Sequence, residues 1–97
     1  MLCEELDRRM EENPNLCQRY QMAPVPNGKR SIDLIEYVED RRGHDRRYAI
    51  NPDKANAELD YQPVETFETG IAKTIDWYLE NPQWWEPLRN AAQLKAA

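Results

Sequence analysis

From Asp40 the sequence runs Asp-Arg-Arg-Gly-His-Asp-Arg-Arg-Tyr-Ala-Ile, and positions 41 to 47 hold four arginines together with the only histidine of the chain. Arg41, Arg42, Arg46 and Arg47 each offer a planar fork of N–H donors that matches phosphate oxygens two at a time. Gly43 between them permits a backbone turn that a bulkier residue would resist. His44 can donate to a phosphate or sugar oxygen without carrying a fixed charge. The chemistry these residue types support is recognition of an anion, a phosphate first of all. The same residues also have a plainer use as a solvated surface on which Asp40 and Asp45 pair with neighbouring arginines, and composition alone does not choose between the two.

Groups that would act on a bound anion are not evident. No glycine-rich turn follows an N-terminal strand, so there is no dinucleotide fingerprint. None of Tyr20, Tyr37, Tyr48, Tyr61 and Tyr78 begins a Tyr-x-x-x-Lys pair, and no serine or cysteine lies in a recognisable nucleophile motif. Cys3 and Cys17 could reach a metal only with His44 and a carboxylate, and no pair has the close spacing of zinc sites; free thiols in a reducing cytoplasm are expected instead. The chain holds no cofactor motif of its own. A net charge of −5 argues against nonspecific binding of nucleic acid or of a membrane surface by the body of the protein, and only Tyr48 is interleaved with the arginines as a base-stacking group would be. No stretch approaches the roughly 20 apolar residues of a membrane span, and the charged start does not resemble a signal peptide.

The elements that must position the arginines are few. Ninety-seven residues at a mean hydropathy of −0.96 allow one thin domain, although three tryptophans and five tyrosines set the chain apart from a disordered tail. Leu2, Cys3, Leu6 and Met10 share one face of a predicted helix over 1–12, which Pro14 ends. Residues 13–31, with two further prolines and Asn-Gly, are expected to form a loop. The β-branched and aromatic residues of 32–50 predict two short extended strands flanking the arginine-rich loop. Asn51, Pro52 and Asp53 predict a helix over 51–60, capped by Asn51 with Pro52 at its first position. Thr66 caps a further helix whose stripe is Phe67, Ile71, Ile75, Tyr78 and Leu79. Pro82 ends or kinks it, and the C-terminal helices reach about residue 88, with Trp77, Trp84 and Trp85 as hydrophobic anchors. The fold class expected is therefore mixed α/β and helix-rich, with two short strands and three to four helices.

The order of these segments resembles the C-terminal end of the dTDP-glucose 4,6-dehydratases, extended short-chain dehydrogenase/reductase enzymes of the nucleotide-sugar branch. Their pattern reads Asp-Arg-Pro-Gly-His-Asp-Arg-Arg-Tyr-Ala-Ile-Asp. A Lys-containing helix follows, then Leu-Gly-Trp-x-Pro, Phe-Glu-x-Gly-Ile, Trp-Tyr-Leu-x-Asn and a closing Trp-Trp. Residues 40–85 follow this pattern, and the first helix also resembles the one that precedes it in the family. The chain departs in having Arg42 for proline, Asn51 for aspartate, Asp60 for glycine and Tyr61 for tryptophan.

The resemblance implies that this segment lines the nucleotide end of a substrate site. Arg41 would contact the pyrophosphate of a dTDP-sugar, His44 would lie near ribose or sugar-phosphate oxygens, and Gly43 would allow the close approach. Asp40 and Arg42 complete the substrate-binding segment, while Arg46, Arg47 and Tyr48 would hold the loop. It further implies that the chain is a C-terminal substrate-binding portion, whose partner would be a Rossmann domain lying upstream. That domain would carry the NAD-binding glycines, the Tyr and Lys pair and the Asp and Glu pair. The family reaction oxidises the sugar at C4 with NAD, removes water across C5 and C6 and returns the hydride to C6. These residues would bind the substrate and leave the chemistry to the other domain. A UDP- or GDP-sugar epimerase or dehydratase, and a non-enzymatic interaction module, stand as alternatives.

Overall fold

Two Asn-Pro pairs organise the helices of the chain, whose residues 1–96 are described by a computed structural model. Helix α1 spans Leu2–Glu12, and Asn13 both ends it and begins α2, Pro14–Arg19. The Asn13 side chain accepts from the Asn15 N–H at 3.1 Å, while Pro14 stands at the first helical position, where its absent N–H costs nothing. Asn81 and Pro82 repeat the arrangement between α4 and α5. Between these pairs lie two 3-10 turns, Val25–Asn27 and Ser31–Leu34, and a short helix α3, Asp53–Leu59. Helix α4, Phe67–Glu80, starts at a Thr66 cap that accepts from the Thr69 N–H. Helix α5 runs Pro82–Ala96 with Pro87 inside it.

Helix α1 is the hub. It packs against α2, both 3-10 turns and α4, and α4 in turn meets α5. Met10 and Ile75 are the only buried hydrophobic residues among those described, with Leu6, Ile71 and Leu79 half-buried around them. Complete burial of one such side chain contributes about 1.5–3 kcal/mol, so a core of this size leaves much of the organisation to polar ties. Phe67 and Tyr78, at the margins of the α4 stripe, are exposed. The radius of gyration is 18.0 Å, against about 13 Å for a compact chain of this length.

Several expectations from sequence are corrected. The chain is helix-rich, but the two strands predicted over 32–50 are not present: among the described residues there is no strand and no sheet. The backbone does extend after Leu34, with Ile35 at φ −72° and ψ 120°. A strand, however, is defined by a partner that takes up its N–H and C=O groups, and no segment among the described residues pairs with this one. Residues 13–31 are not simply a loop, since they contain α2 and a 3-10 turn. Helix α3 begins one residue later than predicted: the Asn51 side chain accepts from the Asp53 N–H at 2.9 Å, and Pro52 is the flanking residue. The C-terminal residues beyond 88 continue α5 to Ala96, as their Ala, Gln, Leu and Lys content favours.

Candidate functional site

The approach to the arginine cluster is anchored at its N-terminal end by a buried carboxylate. Asp7 on α1 is 2% exposed, and both of its oxygens accept from the Ser31 N–H at 3.1 Å. It thereby caps the 3-10 turn from another element, and the Arg30 guanidinium lies 3.3 Å away. Hydrogen bonding from Ser31, assisted by Arg30, outweighs burial and holds the Asp7 carboxyl below the ordinary aspartate range. From this anchor the chain leaves the helices. Residues 32–50 are exposed throughout.

Within that stretch the candidate residues form one local feature. The His44 N–H donates to the Arg41 carbonyl at 3.2 Å, closing a four-residue turn whose third residue, Gly43, has φ 71°. That is the hydrogen bond and the positive φ of a type II turn, whose third position strongly favours glycine and whose second favours proline. A side chain at 43 would meet no neighbour, so the requirement for glycine here is conformational and not steric. The turn brings Arg41 and His44 together: the Arg41 Nε–H donates to His44 Nδ1 at 3.4 Å. Gly43 and Arg42 form the tip, and Asp40 enters it. Arg46, Arg47 and Tyr48 lie beyond the turn, with no hydrogen bond to it among those described.

No ion pair joins Asp40 or Asp45 to Arg41, Arg42, Arg46 or Arg47 among the described residues, although carboxylates occupy other arginines of the chain. The internal pairing that would make the cluster a neutral surface is thus not formed. Four guanidinium groups against two carboxylates leave residues 40–47 with a local excess of two positive charges on an acidic protein. Such a turn can receive a dianion through a guanidinium, an imidazole and the backbone. It holds no nucleophile and no paired acid and base. The three glycines, Gly28, Gly43 and Gly70, stand far apart in the sequence, and no strand–turn–helix unit occurs among the described residues, so these residues do not fit a dinucleotide. No helix among them is long and apolar enough to cross a membrane.

Asp7 and Arg9 were not singled out by the sequence reading. Arg9 lies largely covered between α1 and α4: its Nη2 donates to Asp76 Oδ2 and to the Ala72 carbonyl, both at 3.1 Å, while Nε donates to Asp76 Oδ1. The Arg9 guanidinium holds the Asp76 carboxyl below its usual range, and the carboxylates of Asp76 and Glu5 raise Arg9 further. The one signal available was a charge directly beside the apolar face of a helix, and many solvated charges share that position.

Several known proteins are similar in sequence to this chain. A protein named "Probable dTDP-glucose 4,6-dehydratase" from Sinorhizobium fredii is 54% identical over 65 residues, covering 67% of this chain and 19% of its own length. A dTDP-glucose 4,6-dehydratase from Escherichia coli is 53% identical over 68 residues, or 70% of this chain and 19% of the relative. The Neisseria meningitidis dTDP-glucose 4,6-dehydratase is 38% identical over 91 residues, 94% of this chain and 22% of that protein. No family model matches the chain. No solved structure matches it. The chain is thus similar in sequence to dTDP-glucose 4,6-dehydratases, of whose length it spans about one fifth.

Proposed function

We propose that the chain supplies the nucleotide-sugar binding surface of a dTDP-glucose 4,6-dehydratase, with the turn from Arg41 to His44 receiving the pyrophosphate of dTDP-glucose. The observation that carries this is the turn itself. Gly43 at φ 71° sets Arg41 and His44 side by side, and among the described residues no carboxylate pairs with Arg41, Arg42, Arg46 or Arg47. In this reading Arg41 makes the charged, two-point contact with the pyrophosphate, and Gly43 gives the close backbone approach. His44 donates to a neighbouring sugar or phosphate oxygen, while Asp40 and Arg42 flank the site. The conversion of dTDP-glucose to dTDP-4-keto-6-deoxyglucose needs NAD and acid–base groups, and these belong to a Rossmann domain partnering this surface in a cytoplasmic enzyme. This chain's part is to bind and orient.

The test is an amide correlation spectrum of the chain titrated with dTDP and, separately, with UDP. Shifts confined to residues 40–48, larger for dTDP and abolished by Arg41→Ala, are expected. Equal shifts with both nucleotides would move the assignment to a nucleotide sugar of another base. A dispersed spectrum indifferent to both would remove the anion role from this chain.

A further inference from the structure

Asn27 and Gly28 have no part in the anion site, yet they form a pair with chemistry of its own. Asn27 is the only asparagine of the chain that precedes a glycine: Asn13, Asn51 and Asn81 precede proline, Asn15 leucine, and Asn56 and Asn90 alanine. The distinction matters because a backbone nitrogen can attack the side-chain carbonyl of the asparagine before it. Proline has no N–H to give up, and glycine alone has no side chain to hinder the approach. Both residues of the pair are exposed, so water and hydroxide reach them.

Burial therefore gives no protection here, but hydrogen bonding does. The Asn27 side-chain amide donates to the carbonyls of Gln21 and Ala23, both at 2.8 Å, which holds the amide in place. The next three backbone N–H groups are all engaged. Asn27 and Lys29 donate to the Pro24 carbonyl at 2.9 and 3.0 Å, and Gly28 donates to the Val25 carbonyl at 3.0 Å. To react, the Gly28 nitrogen must lose its proton and swing onto Asn27 Cγ. That movement releases Gly28 from Val25 and the amide from its two carbonyls.

We propose that Asn27–Gly28 is a self-modification site, which the folded loop keeps closed and local opening exposes to reaction with water. In the open loop the Gly28 nitrogen bonds to Asn27 Cγ, the Cγ–Nδ2 bond breaks, and ammonia leaves with the displaced proton, giving a cyclic imide. Water then opens the ring at either carbonyl. One route gives aspartate at 27, and the other gives isoaspartate, with the backbone passing through the side-chain carbons. Water is consumed, ammonia is released, and nothing is oxidised or reduced. The conversion runs one way. A carboxylate at 27 has no hydrogen for Gln21 and Ala23 and sets a negative charge against two carbonyl oxygens, so the closed loop cannot re-form with the same bonds. Because the Val25–Asn27 turn packs on α1, a converted chain is loosened at its hub.

Peptide mapping by mass spectrometry, separating aspartate from isoaspartate at 27, measures conversion of the whole chain at mildly alkaline pH across a series of urea concentrations. Amide hydrogen exchange at Gly28 is followed in parallel. The native chain should convert at least about a hundredfold more slowly than the unfolded chain, as the breaking of a few hydrogen bonds implies. Its rate should rise in proportion to exchange at Gly28. Asn27→Asp, the product made directly, should speed exchange at Gly28 and Lys29 at least about tenfold. Equal conversion in native and unfolded chains would overturn the inference, as would a native rate that does not follow Gly28 exchange, or no conversion even when unfolded. An Asn27→Asp chain with Gly28 fully protected would overturn it too. The urea series needs no variant, so it decides the matter even where Asn27→Asp fails to fold.

Discussion

The two ends of the Asp7–Ser31 contact belong to differently built regions. On one side α1, α2 and α4 share Met10, Ile75 and the Arg9–Asp76 tie, and every element touches another. On the other, residues 36–50 carry the candidate binding residues on an exposed path, shaped by the Arg41–His44 turn. Order and chemistry are thus kept apart. The helical region sets where the path begins, and the turn sets the spacing of Arg41 and His44. A ligand would complete the organisation that packing leaves open.

Acid should break the ordered region first. The Asp7 and Asp76 carboxyls are held below their unfolded values by hydrogen bonding and charge, so the unfolded chain binds more protons wherever the two states differ. Their stabilisation is complete above the ordinary aspartate range, near pH 4, and is lost as pH falls through the lower folded values. Helical circular dichroism followed from neutral to acid pH should collapse there. Next in size, Asp7→Ala should cost about 2–3 kcal/mol by leaving the Ser31 N–H buried without an acceptor, measured by thermal unfolding. Arg41→Ala at the exposed path should stay within about 0.5 kcal/mol of the parent. If the two variants destabilised equally, the division between the regions would be wrong.

Smaller changes sharpen the same comparison. Arg9→Lys keeps the charge but loses the fork that holds Asp76 and the Ala72 carbonyl together, for about 1 kcal/mol. Arg42→Pro works the other way, on the exposed path. Position 42 is the second residue of the turn, its N–H makes no backbone hydrogen bond among those described, and proline presets the needed φ. A gain of about 0.5 kcal/mol is expected, with larger dTDP-induced amide shifts because the turn is formed before the ligand arrives.

What was legible in the sequence was local. Pro14 and Pro82 as helix boundaries, the Thr66 cap and the Gly43 turn each depend on residues within a few positions. So did the grouping of Arg41 with His44, because the turn that joins them spans four residues. The strands failed because β-propensity reports a residue's fit to a pleated surface and says nothing of whether a partner is at hand. Ile32, Leu34, Ile35, Tyr37 and Val38 have the right side chains and no ladder. Asp7 and Arg9 were missed for the opposite reason. Their partners lie 24 and 67 positions away, and nothing near them in sequence distinguishes a carboxylate that caps another element from one in water.

The separation of the helical region from the arginine path also bears on what covalent continuity does in this molecule. Arg41, Arg42, Arg46 and Arg47 lie exposed and outside any helix, the kind of site at which trypsin cuts first. A nick there falls between α1 and α4, yet the contacts joining those helices, Arg9 with Asp76 and Ala72, do not pass through it. The two pieces should therefore stay together after cleavage, and separately prepared halves should reassociate. The arginine stretch is then a tether that raises the local concentration of one half at the other, and its sequence is free to serve a ligand.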